Sequence, residues 1–527
     1  MNSVMSKIIN LMKIKKFQKA ELEIYNELKK EPQSFDLNKL LAMNFLSQKK
    51  YNSAMASLNK CYEINPSDYD INVNLSLILN KVQDYKSALK YSNAAYEINP
   101  NKPEVYHNMA HSYLYIPDLQ KAETNILKSI ELIGGLDSME IFNFKDTLNL
   151  YTDILYAKGD DDTFKSVCSM LLNKGVFFGD LFRKLLRSDK SAILQKHLRT
   201  LENVLEKIDE NPNLTSKNLT KSSVYSCLAE YHQNKNKEIS EKYYIKSNKL
   251  INDLQRDSIY QRQEFTKSVI KFFEDTELDE ISKKIPSNLG DGLIFIIGMP
   301  RSGTSLTESI IATSEDSVAG GEKVFFGVNC RPIIKQFQNG NKKFEALSKL
   351  GLAYLDLIDI QRKGKRIFID KMPENYLYYK FIRVCLPLAK IVHVYRDAWD
   401  NAISLFKQNY VNELTYASSF FGIALEYANY EHLMKIWKSE ANQKILDIDY
   451  YDLVMNTENT AKKIWDFCNL PGKYEELKRK KYFAQTASKH QVRKEIYTSS
   501  LKKSEFTDYF EEFTKNLEEQ RSYWKNN

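Results

Sequence analysis

The sequence predicts two architectures in series: an α-helical repeat solenoid, followed by an α/β domain with a central parallel sheet. Two observations carry this prediction. In the first part of the chain, a short signature that ends in alanine begins at residues 17, 51, 85 and 119, a period of 34 residues. In the second part, three short apolar runs rich in isoleucine or valine each end in glycine or in charged residues. Such runs are typical of buried parallel strands whose carboxyl ends form a site.

The repeat signature is an aromatic residue or leucine, two variable residues and an alanine. Its four copies begin at Phe17, Tyr51, Tyr85 and Leu119. Prolines at 32, 66 and 100 keep the same spacing and mark helix ends. This pattern resembles the tetratricopeptide repeat (TPR), and the resemblance implies helix pairs that stack into a superhelix. We assign TPR repeats to residues 1–135.

The chain continues as helix beyond the repeats, but the 34-residue landmarks decay. Apolar residues at helical spacing, such as Leu148, Tyr151 and Leu155, predict further amphipathic helices. We therefore expect a degenerate TPR-like helical region over residues 136–288 and the start of the α/β domain at residue 289.

Composition limits the classes of function. The net charge of +8 over 527 residues suits an anionic substrate but is too diffuse to indicate nucleic acid. Six scattered cysteines without a C-x-x-C pair indicate buried thiols in a reducing, cytoplasmic compartment. We expect no signal peptide, because lysines interrupt the first 17 residues, and no membrane span, which needs about 18 apolar residues.

The first apolar run, Leu293–Ile297, leads into a turn that is suited to an anion. A strand, a tight glycine turn and a helix beginning near Thr304 would point backbone N–H groups and a helix N-terminus at one ligand. Arg301 adds a positive charge, and Ser302, Thr304 and Ser305 add hydroxyl donors. A nucleoside triphosphatase loop would carry a lysine next to its last serine or threonine, and this turn contains none, so ATP with magnesium is not favoured.

Residues 300–305, Pro-Arg-Ser-Gly-Thr-Ser, resemble the 5′-phosphosulfate loop of sulfotransferases, enzymes that use 3′-phosphoadenosine-5′-phosphosulfate (PAPS). The resemblance implies an α/β P-loop-like sulfotransferase domain over residues 289–527. It also implies that PAPS is bound by Arg301, Ser302, Gly303, Thr304 and Ser305.

Two charged residues are candidates for catalysis. Glu322 follows a Gly-Gly turn, where a carboxylate is either a general base or a solvated residue at a helix start. Lys371 follows the second apolar run, where it could stabilise a leaving oxygen or pair with Asp370. Both residues match positions of TPR-linked and protein-tyrosine sulfotransferases. That resemblance implies that Glu322 is the catalytic base and Lys371 the transition-state lysine.

The third apolar run ends in Arg396, and Ser404 follows eight residues later. This spacing resembles the family's 3′-phosphate motif, which implies that both residues bind that phosphate. Looser matches imply that Tyr450 lies beside the nucleotide, that Ser488 is a transition-state serine and that Lys503 binds phosphate. The chain departs from the family pattern at Gln408, where an arginine is usual, and at residues 504–506, which lack the usual tryptophan.

The combined prediction is a sulfotransferase that moves a sulfuryl group from PAPS to an acceptor hydroxyl without a metal. A protein tyrosine, a saccharide and a small alcohol all stay open as acceptors. The repeats are expected to bind the substrate or a protein partner, and a homodimer stays open. Two alternatives remain: a P-loop kinase or NTPase, and a non-catalytic TPR adaptor with a nucleotide-sensing domain.

Overall fold

The computed structural model describes residues 3–174, 179–210, 214–255, 258–276, 279–340, 345–410, 414–440, 445–475, 496, 501 and 504–526. The chain divides into two compact units, Met1–Phe164 and Lys165–Asn527. The three regions expected from the sequence patterns, residues 1–135, 136–288 and 289–527, do not coincide with these two units, and their boundaries stay predictions.

The first unit is built from antiparallel helix pairs. Its helices are α1 Ser3–Lys13, α2 Phe17–Leu28, α3 Phe35–Ser47, α4 Tyr51–Ile64, α5 Tyr69–Lys81, α6 Tyr85–Ile98, α7 Pro103–Tyr115, α8 Leu119–Leu132 and α9 Lys145–Lys158. Helices α2, α4, α6 and α8 begin at the four copies of the repeat signature. The predicted helical solenoid is confirmed.

Two features of the repeat explain this packing. The alanine of each signature copy is fully buried, because a small side chain lets neighbouring helices approach closely. A buried asparagine in each of two successive repeats also closes the turn before its helix. Asn72 Nδ2 donates to the carbonyl oxygens of Pro66 at 2.7 Å and Asp68 at 2.9 Å. Asn38, 34 residues earlier, makes the same pair of contacts one repeat before.

Helices continue up to the sheet. They are α10 Asp161–Asn173, α11 Gly179–Ser188, α12 Gln195–Lys207, α13 Leu214–His232, α14 Lys237–Gln255, α15 Ser258–Glu274 and α16 Asp279–Ser282. In the part of the chain that the structure describes, no helix has both the length and the apolarity to cross a bilayer. All six cysteines are buried, and burial raises the pKa of the Cys61 thiol to about 11.

The second unit contains a sheet of five parallel strands. They are β1 Leu293–Gly298, β2 Ser317–Ala319, β3 Ile367–Asp370, β4 Lys390–Tyr395 and β5 Ile445–Asp449, in the order β2-β3-β1-β4-β5. The predicted parallel sheet is confirmed by four parallel pairings. Because β1 is flanked by β3 on one side and β4 on the other, its carboxyl end lies at a topological switch point, where ligands of open α/β sheets bind.

Helices cover both faces of this sheet. They are α17 Thr304–Ile311, α18 Phe325–Gln338, α19 Glu345–Arg362, α20 Tyr379–Cys385, α21 Ala398–Phe406, α22 Phe420–Glu440, α23 Tyr450–Met455, α24 Thr457–Cys468 and α25 Phe510–Asn526. Successive residues of β1 pack on opposite faces of the sheet: Ile294 packs in the cluster of Ile310 and Trp465, and Phe295 packs in the cluster of Tyr354. Burial on both faces explains why β1 is an unbroken apolar run.

Candidate active site

The loop from β1 to α17 has the backbone shape of an anion-binding turn. Arg301 and Gly303 take left-handed conformations, with φ of +71° and +109°, and α17 begins directly afterwards at Thr304. Left-handed residues in such a turn aim successive N–H groups into one concavity. The hydroxyl-bearing side chains of Ser302, Thr304 and Ser305 are all buried. Ser302 Oγ has no hydrogen-bond partner among the residues that the structure describes, so an anion at this loop would satisfy a buried donor.

Gly303 is in contact with an aromatic ring from the next-but-one strand tip. A Cβ atom at position 303 would lie 2.5 Å from Cδ2 of Tyr450, the first residue of α23. The guanidinium carbon of Arg396 lies 4.4 Å from the centroid of the same ring. Tyr450 therefore connects the loop after β1 with the arginine after β4.

The two arginines expected to bind opposite ends of the nucleotide lie together. Arg396 Nη1 donates to the carbonyl oxygen of Arg301 at 3.2 Å, and Arg301 Nε donates to Ser404 Oγ at 3.3 Å. Asn401, on the same helix as Ser404, donates to the carbonyl oxygen of Pro300 at 3.1 Å. The loop, the tip of β4 and α21 therefore meet at the carboxyl edge of the sheet.

The end of β4 is also fixed by neighbouring elements. Asp397 caps α21, because its Oδ1 accepts the N–H of Asp400 at 2.9 Å. Tyr427 of α22 donates its hydroxyl to the carbonyl oxygen of Arg396 at 2.5 Å. In the Arg-Asp pair of the sequence, Arg396 is therefore buried and its backbone is held by Tyr427, whereas Asp397 starts the next helix.

Glu322 and Lys371 are brought together by the turn after β2. This turn extends the pairing of β2 with β3: Gly320 N donates to Ile369 O at 2.7 Å, and Lys371 N to Gly321 O at 2.9 Å. Lys371 Nζ donates to Glu322 Oε1. The lysine side chain is fully buried, whereas that of Glu322 is 42% exposed, so the carboxylate can be reached from solvent.

Lys371 therefore pairs with Glu322 and not with Asp370, which was the alternative from the sequence. Asp370 is directed to the interior, where its Oδ2 accepts the hydroxyl proton of Tyr354 at 2.7 Å. Consecutive residues at a strand end point to opposite sides, which separates the two side chains.

The remaining predicted site residues, Ser488 and Lys503, lie outside the described residues. The segment directly after Lys503 is described and well anchored. Glu505 pairs with Lys407 at 2.7 Å, and the buried Phe506 packs against the ring of Phe406. A phenylalanine anchor therefore stands in the segment where the family pattern has tryptophan.

Sequence reasoning missed an ion cluster next to Lys371. Arg262 of α15 donates from Nη2 to Glu374 Oε1 at 2.6 Å and to Glu426 Oε1 at 2.5 Å. Glu426 also accepts from the Tyr376 hydroxyl at 2.6 Å. The cluster ties the segment that follows Lys371 to α15 and α22. No local pattern could reveal it, because the partners of Arg262 lie 112 and 164 residues away.

A metal centre is not evident in the described ranges, where no three histidine, cysteine, aspartate or glutamate side chains are grouped so as to hold an ion. Burial raises the pKa of Asp370 and lowers that of the nearby Lys323, because each charge is removed from water.

Comparison with known families matches both parts of the chain. Residues 294–476 match the model described as sulfotransferase family, and this range contains Arg301, Glu322, Lys371 and Arg396. Residues 40–68 and 69–102 match the tetratricopeptide repeat. An uncharacterized protein of Aquifex aeolicus (strain VF5) is 31% identical over 228 residues, which are 40% of this chain and 30% of that protein. The chain thus spans less than a third of that relative's length.

Solved structures similar to the chain are distant. A tetratricopeptide repeat protein from Parabacteroides merdae ATCC 43184 has a TM-score of 0.34 at 14% identity, covering 47% of this chain and 91% of that one. The sulfotransferase domain of the Synechococcus PCC 7002 olefin synthase has a TM-score of 0.28 at 13% identity, covering 44% and 96%. Scores this low carry no argument by themselves. The chain therefore combines a helical region that matches the tetratricopeptide repeat with a parallel-sheet domain that matches the sulfotransferase family.

Proposed function

We propose that this protein is a PAPS-dependent sulfotransferase that moves a sulfuryl group to an acceptor hydroxyl. The observation that supports this most strongly is the convergence of the two arginines. Arg396 contacts the backbone of Arg301 at 3.2 Å, and Arg301 contacts Ser404 at 3.3 Å, so the groups expected for the two ends of PAPS lie together at one edge of the sheet.

In this proposal the donor is held at both ends. Residues 301–305 bind the 5′-phosphosulfate, Arg396 and Ser404 bind the 3′-phosphate, and Tyr450 lies beside the nucleotide. Lys503 adds a further phosphate contact. Hydrogen bonds to charged groups contribute about 1.5–3 kcal/mol each, so two at the 3′-phosphate favour PAPS over a 5′-adenylate by at least roughly two orders of magnitude.

The transfer is in line and relies on positioning and electrostatics. Glu322 accepts the proton of the acceptor hydroxyl as the new S–O bond forms. Lys371 turns from Glu322 to the bridging oxygen and stabilises its charge as the old S–O bond breaks, which releases 3′,5′-ADP. Ser488 assists at the transferring group. No step in this scheme requires a metal.

The rival class, an ATP-dependent P-loop enzyme, predicts a different ligand preference. Thermal-shift measurements with 3′,5′-ADP, ATP with magnesium and AMP separate the two. The proposal predicts the largest stabilisation with 3′,5′-ADP, because only this ligand engages both arginines. A larger shift with ATP and magnesium would support the rival instead.

Catalysis itself is tested by transfer of labelled sulfate from PAPS. Glu322→Gln is expected to lower turnover by about 10²-fold or more, while 3′,5′-ADP affinity changes little, because the variant removes only the base. The exposed Glu458→Gln on α24 is the matched control and should keep full turnover. If the natural protein transfers no sulfate to any acceptor, the result would favour the alternative of a non-catalytic TPR adaptor.

The acceptor is approached with the same label. After incubation of the protein, labelled PAPS and host lysate, label in protein would favour a tyrosine acceptor. Label in small molecules would favour a saccharide or a small alcohol. We propose that the repeats present the substrate or a protein partner, which predicts that disruption of the repeat surface lowers the labelling of protein targets.

A further inference from the structure

Directly behind Glu322 lies a group of buried ionisable side chains that the proposed transfer does not use. Lys323, the next residue in the chain, is only 2% exposed. Asp370 at the end of β3 is 1% exposed, and Glu308 in the middle of α17 is fully buried. Charged groups are costly to bury unless they are paired and hydrogen-bonded, so three at one place call for an explanation.

The turn that leads into Glu322 is held by two neighbouring elements of the fold. Glu308 Oε1 accepts the N–H of Gly321, the residue before Glu322, at 3.1 Å. The residues on either side of Asp370 hold the same turn, because Gly320 N donates to Ile369 O at 2.7 Å and Lys371 N donates to Gly321 O at 2.9 Å. The turn that leads into Glu322 is therefore bound both to Glu308 and to the strand that ends in Asp370.

The third member, Lys323, supplies the opposite charge. Its ammonium group interacts with both Asp370 and Glu308, which face it from β3 and α17. The titratable groups that face Asp370 are Lys323, Glu308 and the hydroxyl of Tyr354. Desolvation raises the pKa of Asp370 to about 7 and lowers that of Lys323 to about 8. The charge of the cluster therefore changes close to neutral pH.

We propose that Lys323, Asp370 and Glu308 form a positioning cluster that aligns Glu322 with Lys371. Without the Lys323 ammonium, two carboxylates would be buried next to each other and would repel, which would shift the turn that carries Glu322. A displacement of about 1 Å at a reacting group costs on the order of 10²-fold in rate. The catalytic consequence rests on the proposed sulfuryl transfer, whereas the existence of the cluster does not.

The kinetic test uses Lys323→Met and the nearly isosteric Asp370→Asn. At a pH above the pKa of Asp370, both are expected to lower kcat by about 10-fold or more, whereas the dissociation constant of 3′,5′-ADP should stay within about 2-fold. Lys462→Met, which removes an exposed lysine of α24, is the matched control and should keep full turnover. Unchanged kcat in Lys323→Met and Asp370→Asn would overturn the proposal, as would a loss of nucleotide affinity equal to the loss of kcat.

The pH profile separates positioning from a general loss of structure. Below pH 7, Asp370 of the natural protein is protonated and no longer balances Lys323. The kcat/KM profile of the natural protein should therefore contain a transition near pH 7 that is absent from Asp370→Asn. A profile of Asp370→Asn that is lowered but keeps the transition would contradict the proposal.

A third measurement needs no substrate. Urea unfolding of Lys323→Met, Asp370→Asn and the double variant gives the coupling between the two side chains. We expect the two effects to be clearly non-additive, because the first substitution removes the partner of the second. Additive effects would overturn the cluster. If the natural protein transfers no sulfate, the proposed function fails, and this cycle still decides whether the cluster exists.

A second measurement of stability covers the case in which Lys323→Met does not fold. The folded-state pKa of Asp370 is raised, so the contribution of this group to stability falls as the pH rises from about 4 to about 7, and Asp370→Asn lacks this contribution. The stability of Asp370→Asn relative to the natural protein should therefore rise over this range. A constant difference would contradict the cluster.

Discussion

Replacement of Gly303 by alanine should damage the phosphate loop for two separable reasons. Residue 303 has φ of +109°, where an L-residue is strained by about 1–2 kcal/mol. The new Cβ would also lie 2.5 Å from Cδ2 and 3.0 Å from Cε2 of Tyr450, a clash of the kind that costs about 1–3 kcal/mol. Together these effects predict a loss of about 2–5 kcal/mol in the free energy of unfolding.

Gly364→Ala is the matched control for this substitution. Gly364 also has a positive φ, +76°, but no heavy atom lies within 4 Å of the position that a Cβ would occupy there. It should therefore cost only the strain, about 1 kcal/mol. Adding Tyr450→Ala to Gly303→Ala should remove the clash but leave the backbone strain.

Urea denaturation gives the free energies, and calorimetric titration with 3′,5′-ADP gives the functional effect. We expect Gly303→Ala to weaken nucleotide binding by at least about 10-fold, because the loop must move away from Tyr450. A Gly303→Ala variant that costs no more than Gly364→Ala and binds 3′,5′-ADP normally would show that the Tyr450 contact does not constrain the loop.

Two further predictions concern stability. Arg262→Met should lower the free energy of unfolding, measured by urea denaturation, by about 3 kcal/mol, because it leaves two glutamates without their counter-charge. Arg521→Met, which breaks an exposed ion pair, should lower it by less than about 1 kcal/mol. Equal costs would contradict the role of the Arg262 cluster. In the repeats, Asp84→Ala should lower the free energy of unfolding by about 1 kcal/mol, because the Asp84 side chain caps α6. Lys50 occupies the same position of the preceding repeat, where no side-chain cap exists, so Lys50→Ala should leave stability nearly unchanged. A thermal shift of equal size for both variants would argue against the cap.

The sequence was sufficient to predict features that depend on local patterns. The 34-residue period placed the repeat helices, and the three apolar runs placed β1, β3 and β4. The meeting of Arg301 and Arg396 could also be anticipated, because the carboxyl ends of neighbouring parallel strands lie on one edge. Strand β2, with three residues, was too short to give a pattern.

Features that depend on distant contacts could not be predicted. Lys323 and Glu322 are adjacent charged residues, and nothing local distinguishes the buried lysine from the half-exposed glutamate. That choice is made by Asp370 and Glu308, which reach the turn from two other elements. Glu308 did carry a signal, since it is the one charge in the otherwise neutral segment Thr304–Ile311.

The residues around Arg301 and Arg396 are proposed to bind one nucleotide that carries phosphates on both its 5′ and 3′ positions. Calorimetric titration of the natural protein and of Arg396→Met with 3′,5′-ADP and 5′-AMP tests this proposal. We expect the natural protein to bind 3′,5′-ADP at least about 100-fold more tightly than 5′-AMP, and Arg396→Met to lose most of this preference. Equal affinities of the natural protein for the two nucleotides would contradict it.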